Sequence, residues 1–323
     1  TGWYALGASE VVANQGLSAG VHLAKGATLT PRDRHVWQHL GRAAEMRGDW
    51  RASREAYMEA WRLAPWHAIT SLNVGRAARS AWLMNNKDAV ALEDGLVYLA
   101  RSALANPWGL EARLWGGEMA LRSGAREMGA LFFGGVPAGF PASSAWHRLR
   151  AEWLAAIGDA EGAAREIESA RAQEARERLR GAEEALAAGR PAEAERTARE
   201  ITRKMPGLAA GWETLGFILH SAGRLPEAAA CYERLARLEP VSVAPRLNLA
   251  LIAMALRDPA TARARLEEAA RLSPEGVDVH LTRARLYASE GMISQAKEEY
   301  GWVLDRDPSN RSARTELDRL RDR

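Results

Sequence analysis

The strongest constraint in this chain is a spacing. Trp3, Leu6, Gly7 and Pro31 recur as Trp37, Leu40, Gly41 and Pro65, each 34 residues further on. The same frame returns in 211–240 with Trp212, Leu215, Gly216, Gly223, Ala228, Tyr232 and Pro240. It continues as Ala250, Ala262, Leu266, Ala269 and Pro274, then as Ala284, Tyr287, Gly291, Ala296, Tyr300 and Pro308. A period of this length marks one structural unit copied along the chain. Such a unit cannot bury its apolar face alone, so it stacks on its neighbours.

The residues within a unit say what the unit is. Trp37, Leu40, Gly41 and Ala44 fall at i, i+3, i+4 and i+7, which is one face of a helix. Gly41 leaves room for a second helix to approach. Gly48 follows where a left-handed C-terminal cap is expected, and Asp49 can cap the next helix start. Tyr57 and Ala60 lie on the inner face of that second helix, and Pro65 stops it. Pro191, Pro226 and Pro259 fall in the first turn of later second helices, where a missing N–H costs little. The unit is a helical hairpin.

These residues resemble the tetratricopeptide repeat (TPR) family over nearly the whole chain. The resemblance implies an all-α fold, a right-handed α-α superhelix with a concave groove. About nine hairpins are expected, at 1–33, 34–67, 68–109, 110–137, 144–174, 175–208, 209–242, 243–276 and 277–310. A charged helix over 311–323 follows as a solvating cap.

The frame weakens in two places. The third unit carries an insertion around "LMNNKD", where Asn85-Asn86 reads as a turn. The fourth has a short second helix ending at Phe133, followed by the Gly/Pro-rich "GGVPAGFPASS". This segment is either a break between subarrays or a longer surface loop. As domains, this gives a Trp-rich subarray over 1–137, a connection over 138–143 and a second subarray over 144–323. Ten of the twelve tryptophans lie at or before Trp153. Interfaces favour Trp and Arg, so the first half is the expected binding region, although most of these rings are expected in the core.

Composition narrows the partners. A net charge of +3, interleaved along the chain, gives no basic stripe for nucleic acid. The longest apolar run, 249–256, is too short to span a bilayer. Arginine supplies 40 of the 44 basic residues, with lysine only at 25, 87, 204 and 297, a bias that points to a GC-rich bacterial genome. Cys231 is the sole cysteine, which excludes an intrachain disulfide and leaves cytoplasm and periplasm both open. The chain opens at Thr1 without an initiator Met, and we read it as a processed or excised piece. A tether to the inner membrane upstream is compatible with that reading.

In TPR proteins the groove is lined by first-helix positions 2, 5, 6, 9, 12 and 13. The resemblance therefore implies a partner-binding groove at His35, Gln38, His39 and Arg42 of unit two, Asn73, Arg76 and Arg79 of unit three, and Trp115, Glu118 and Arg122 of unit four. Arg forks suit carboxylates and Asn suits an extended backbone, so the expected ligand is a protein or an extended, acidic peptide. The chaperone-type carboxylate clamp does not fit. Asn73 matches its central Asn, but Gln38 and Arg42 replace Lys and Asn, and Glu111 and Trp115 replace two basic residues.

Nothing else in the chain suggests chemistry. His35 and His39 share a helix face at i, i+4, yet a tetrahedral metal site needs more ligands and no HExxH is present. No GxxxxGK[ST] or GxGxxG occurs, and the letters GxSxG at 16–20 fall inside a helical hairpin and not at a strand-to-helix elbow. The expectation is a noncatalytic scaffold without cofactor or metal. The alternative is the soluble TPR region of a bacterial envelope protein in exopolysaccharide synthesis, polymerisation or export.

Overall fold

The computed structural model describes residues 2–85 and 88–321. Among them are eighteen α-helices and no strand. The chain divides into two compact units, Thr1–Gln173 and Glu174–Arg323. Unit 1 holds the hairpins α1 (Gly2–Val12) with α2 (Gly16–Leu29), α3 (Arg34–Met46) with α4 (Trp50–Leu63), α5 (Ala68–Met84) with α6 (Ala89–Ala105), and α7 (Leu110–Ser123) with α8 (Arg126–Phe133). It ends with α9 (Ser144–Ala156) and the first part of α10 (Ala160–Ala187). Unit 2 holds the rest of α10 with α11 (Pro191–Lys204), then α12 (Ala209–Ser221) with α13 (Leu225–Leu238), α14 (Ala244–Ala255) with α15 (Pro259–Leu272), and α16 (Val277–Ser289) with α17 (Ile293–Arg306). The terminal helix α18 (Arg311–Arg321) follows. As expected, the described residues form an all-α fold of nine helical hairpins and a final helix.

Helix ends follow the sequence signals. Gly48 takes φ +72° after α3, and Asp49 accepts the Ala52 N–H at 3.0 Å to cap α4. Pro191, Pro226 and Pro259 occupy the first turns of α11, α13 and α15. In the third hairpin α5 runs to Met84, and Asp88 caps α6 through the Ala91 N–H at 2.8 Å. Of the expected Asn85-Asn86 turn, Asn86 lies outside the described residues.

The expected division between 144–174 and 175–208 is not a helix break. α10 runs unbroken for 28 residues and serves as the second helix of the fifth hairpin and the first of the sixth. The physical reason is a missing stop. Closing prolines stand at 206, 240, 274 and 308, and one period earlier the frame holds Ala172. Alanine keeps its N–H and is the best helix former, so the helix continues.

Several hairpins close on a small residue facing a large one. A Cβ on Gly7 would lie 2.6 Å from Leu23 Cγ, one on Gly41 2.6 Å from Tyr57 Cδ1, and one on Gly216 3.0 Å from Tyr232 Cζ. The partner is 16 residues on in each case. Gly75 meets Leu99 at 2.6 Å, 24 residues on, which measures the insertion as eight residues. Ala250 with Leu266 and Ala284 with Tyr300 are the corresponding buried pairs of later hairpins.

A second recurring contact joins successive hairpins. The fourth residue of a first helix bonds to the carbonyl of the closing proline six residues before it. Trp37 Nε1 donates to Pro31 at 2.9 Å, Trp212 Nε1 to Pro206 at 2.9 Å and Arg113 Nε to Pro107 at 3.2 Å. His280 Nε2 meets Pro274 at 3.1 Å and Arg314 Nη2 donates to Pro308 at 2.6 Å. A carbonyl left orphaned past a helix end thereby gains a donor. Trp37 and Trp212 pack at a recurrent position, as expected, and also staple the turn before them.

The segment after α8 is held from two sides. Arg113, only 5% exposed, donates to the carbonyls of Leu131, Phe132 and Gly134 as well as Pro107. Its cation closes the C-terminal end of α8, where the helix dipole is negative. Burial lowers its pKa from the ordinary value. Phe140 lies 5.6 Å beneath that guanidinium and 5.2 Å from the ring of Trp146 on α9. Among the described residues no helix is long and apolar enough to cross a membrane.

Candidate functional site

The implied groove residues sit on α3, α5 and α7, the first helices of three consecutive hairpins in unit 1. Their outward positions are polar because the inward ones, Val36, Ala43, Ala44, Val74, Ala77, Ala78, Met119 and Ala120, fill the core. Helical periodicity separates the two sets.

The arginines are tied by two glutamates. Glu45, buried at 7% exposure, accepts from Arg76 Nε at 3.0 Å, from Arg76 Nη2 at 3.2 Å and from Arg42 Nη1 at 2.8 Å. Arg76 Nη2 also donates to the Tyr57 hydroxyl at 3.3 Å. Glu118 accepts from Arg79 Nε at 3.0 Å, and also from Arg79 Nη2. Its other oxygen is 2.7 Å from Arg122 Nη2. The twelfth position of one first helix thus meets the ninth of the next, as Glu45 with Arg76 and then, with signs reversed, as Arg79 with Glu118.

The remaining residues surround these ties. His35 is exposed on the first turn of α3, and Gln38 is half-buried. His39 is half-buried with its ring edge-on to Tyr4 at 5.5 Å. Burial, then repulsion from His35, lowers the His39 pKa. Asn73 is half-buried on α5, and Trp115 lies 5.9 Å under the Arg79 guanidinium. Burial and the Glu45 charge push the Tyr57 phenol well above the ordinary tyrosine range, Arg76 opposing them. Cys231 stands apart in unit 2, buried on α13, and burial pushes its thiol up to about 11.

The spacing puts the arginines on first helices, which are α3, α5 and α7, and leaves their partners unassigned. Glu45 was visible only as another groove position, because a partner 31 residues away is set by how two repeats stack. Arg113 was missed altogether. Its signal was its place six residues after Pro107, where other repeats carry Trp or His.

Residues 215–287 match the tetratricopeptide repeat family. No curated protein matches the sequence. Among solved structures, MamA (MSR-1) is similar at 20% identity and a TM-score of 0.44, covering 54% of this chain and 96% of that one. The P58(IPK) TPR domain is similar at 15% identity and a TM-score of 0.33, covering 99% of this chain and 96% of that one. A thermophilic TPR protein of Thermus thermophilus, TTC0263, is similar at 15% identity and a TM-score of 0.37, covering 53% of this chain and 90% of that one.

Proposed function

We propose that this chain, built from tetratricopeptide repeats, is a noncatalytic scaffold that takes an extended, acidic segment of a partner protein along α3, α5 and α7. The observation that carries the reading is the sharing of each carboxylate by two guanidiniums. Arg42 and Arg76 against Glu45 leave one positive charge, and Arg79 and Arg122 against Glu118 leave another. Four arginines are held in place, and their N–H groups outnumber the oxygens that accept from them. A partner carboxylate would meet donors already ordered, so little side-chain entropy is lost on binding.

The roles divide by exposure. Arg42 and Arg122, with side chains 56% and 58% exposed, are the groups that reach the ligand. Arg76 and Arg79 orient the glutamates and hold neighbouring repeats together. Asn73 offers a donor and an acceptor to a peptide backbone. His35, Gln38, His39 and Trp115 flank the path, and Glu118 fixes Arg122.

Titration of a fluorescently labelled Glu/Asp-rich peptide, followed by anisotropy, tests this. Replacing Arg42 and Arg122 together with alanine should weaken binding by roughly tenfold or more, about 1.4 kcal/mol. Added salt should weaken wild-type binding in the same direction. If the double variant binds the peptide as the wild type does, the site is elsewhere.

A further inference from the structure

In unit 2, α15 is the second helix of the eighth hairpin and α16 the first helix of the ninth. Where they meet there is a cavity of about 330 Å³. Its apolar walls are Leu266 and Ala270 of α15, Leu286 and Tyr287 of α16, and Met292 just before α17. Sites for small molecules have this size and this predominance of apolar lining.

The second hairpin shows what the repeat can place in this space. Its closing proline, Pro65, and that of the eighth, Pro274, are 209 residues apart. By that offset Leu266 corresponds to Tyr57, Ala270 to Trp61, Arg283 to Val74 and Leu286 to Ala77. Trp61 packs against the cluster of Tyr57, Val74, Ala77 and Tyr98. Two rings therefore fill the junction of α4 with α5, and a leucine and an alanine stand in their place at the junction of α15 with α16. Small residues alone do not leave room there. Leu99 and Ala103 of the third hairpin are as small, and Met119 of the next helix packs fully buried in one cluster with them.

Charge around the cavity is balanced. Of its charged lining residues, Arg263 pairs with Glu290 at 2.6 Å, Arg283 pairs with Glu299 at 3.3 Å, and Glu267 stands 4.0 Å from Arg271. An ionic ligand meets no unpaired opposite charge, which favours a neutral occupant. We propose that this cavity binds a neutral aromatic molecule of about the size of an indole, its ring lying where Trp61 lies in the second hairpin. The lining suits a ring better than an alkyl group. Tyr287 and the Met292 sulfur both make favourable contacts with aromatic groups. A guanidinium hydrogen-bonds through its edge, so the paired Arg263 and Arg283 keep a flat face for a π system. The site is independent of the groove proposed for unit 1.

Titration of indole into the full chain, labelled with carbon-13 at the methionine methyls and followed by NMR, tests the proposal. The Met292 methyl resonance, assigned through Met292→Leu, should shift and saturate. Phenol should bind as well, and cyclohexanol, with the same hydroxyl but no π face, should bind about threefold or more weakly than phenol. Ala270→Trp restores the residue of the second hairpin, and its own ring should fill the cavity and weaken indole binding by roughly tenfold or more. Far-UV circular dichroism checks that the variant is folded. Ala270→Leu, which copies Leu304 at this position of the ninth hairpin, serves if the tryptophan variant does not fold. A Met292 methyl that does not shift, or cyclohexanol that binds as tightly as phenol, overturns the proposal. So does a folded Ala270 variant that binds indole as the wild type does, or shifts that grow equally at every methionine without saturating.

Discussion

At the scale of the residue, the chain depends on what a missing side chain allows. Helix propensity alone would favour Ala over Gly inside α3 by about 1 kcal/mol. The Tyr57 ring, 2.6 Å from where a Cβ would sit, reverses that preference. Gly41→Ala should therefore destabilise the protein by about 1–3 kcal/mol, since overpacking forces a buried ring or a backbone to shift. Gly216→Ala meets Tyr232 at 3.0 Å and should cost less. Urea denaturation of the two variants gives the comparison, and a gain in stability at Gly41 would mean that Tyr57 yields without strain. Both glycines were legible as close-approach points from the 34-residue frame. The identity of what approaches each of them came from the packed hairpin.

At the scale of the element, punctuation decides where helices end. Gly48, Asp49 and the first-turn prolines could all be read from the sequence, because caps act within a few residues of themselves. The fused helix α10 follows from a residue that is not a proline. Ala172→Pro restores the stop found at 206, 240, 274 and 308, but inside a helix it removes an N–H bond and crowds the preceding turn. The expected outcome is a loss of about 3 kcal/mol with a smaller helical signal in circular dichroism. A variant as stable as wild type would show that this repeat tolerates either a break or a continuous helix. The other contacts between elements, such as the staple from Trp37 to Pro31, recur with the period but change donor from Trp to Arg to His. A search for conserved letters misses them, whereas a search for hydrogen-bond donors at that position finds them.

At the scale of the molecule there is no single core. Among the described residues the buried side chains form separate clusters, such as Tyr57, Val74, Ala77 and Tyr98 in unit 1 and Leu215, Cys231, Tyr232 and Leu249 in unit 2. Repeats coupled through their nearest neighbours need not unfold together. Ten of the twelve tryptophans lie in unit 1, so fluorescence reports mainly on that unit while far-UV circular dichroism reports on both. The two probes should give different urea midpoints, and coincident curves would indicate one cooperative transition instead. The amino-acid sequence by itself determined the period, the hairpin, the stops and the helices that carry the candidate groove, because these depend on neighbours a few residues away or on one helix face. Only the tertiary structure decided which charges meet. Glu45 finds Arg76 across 31 residues and Arg79 finds Glu118 across 39, and both contacts depend on how one repeat settles against the next. A periodic pattern fixes which face a side chain occupies. The partner it meets there is fixed by register between helices, which local spacing does not encode.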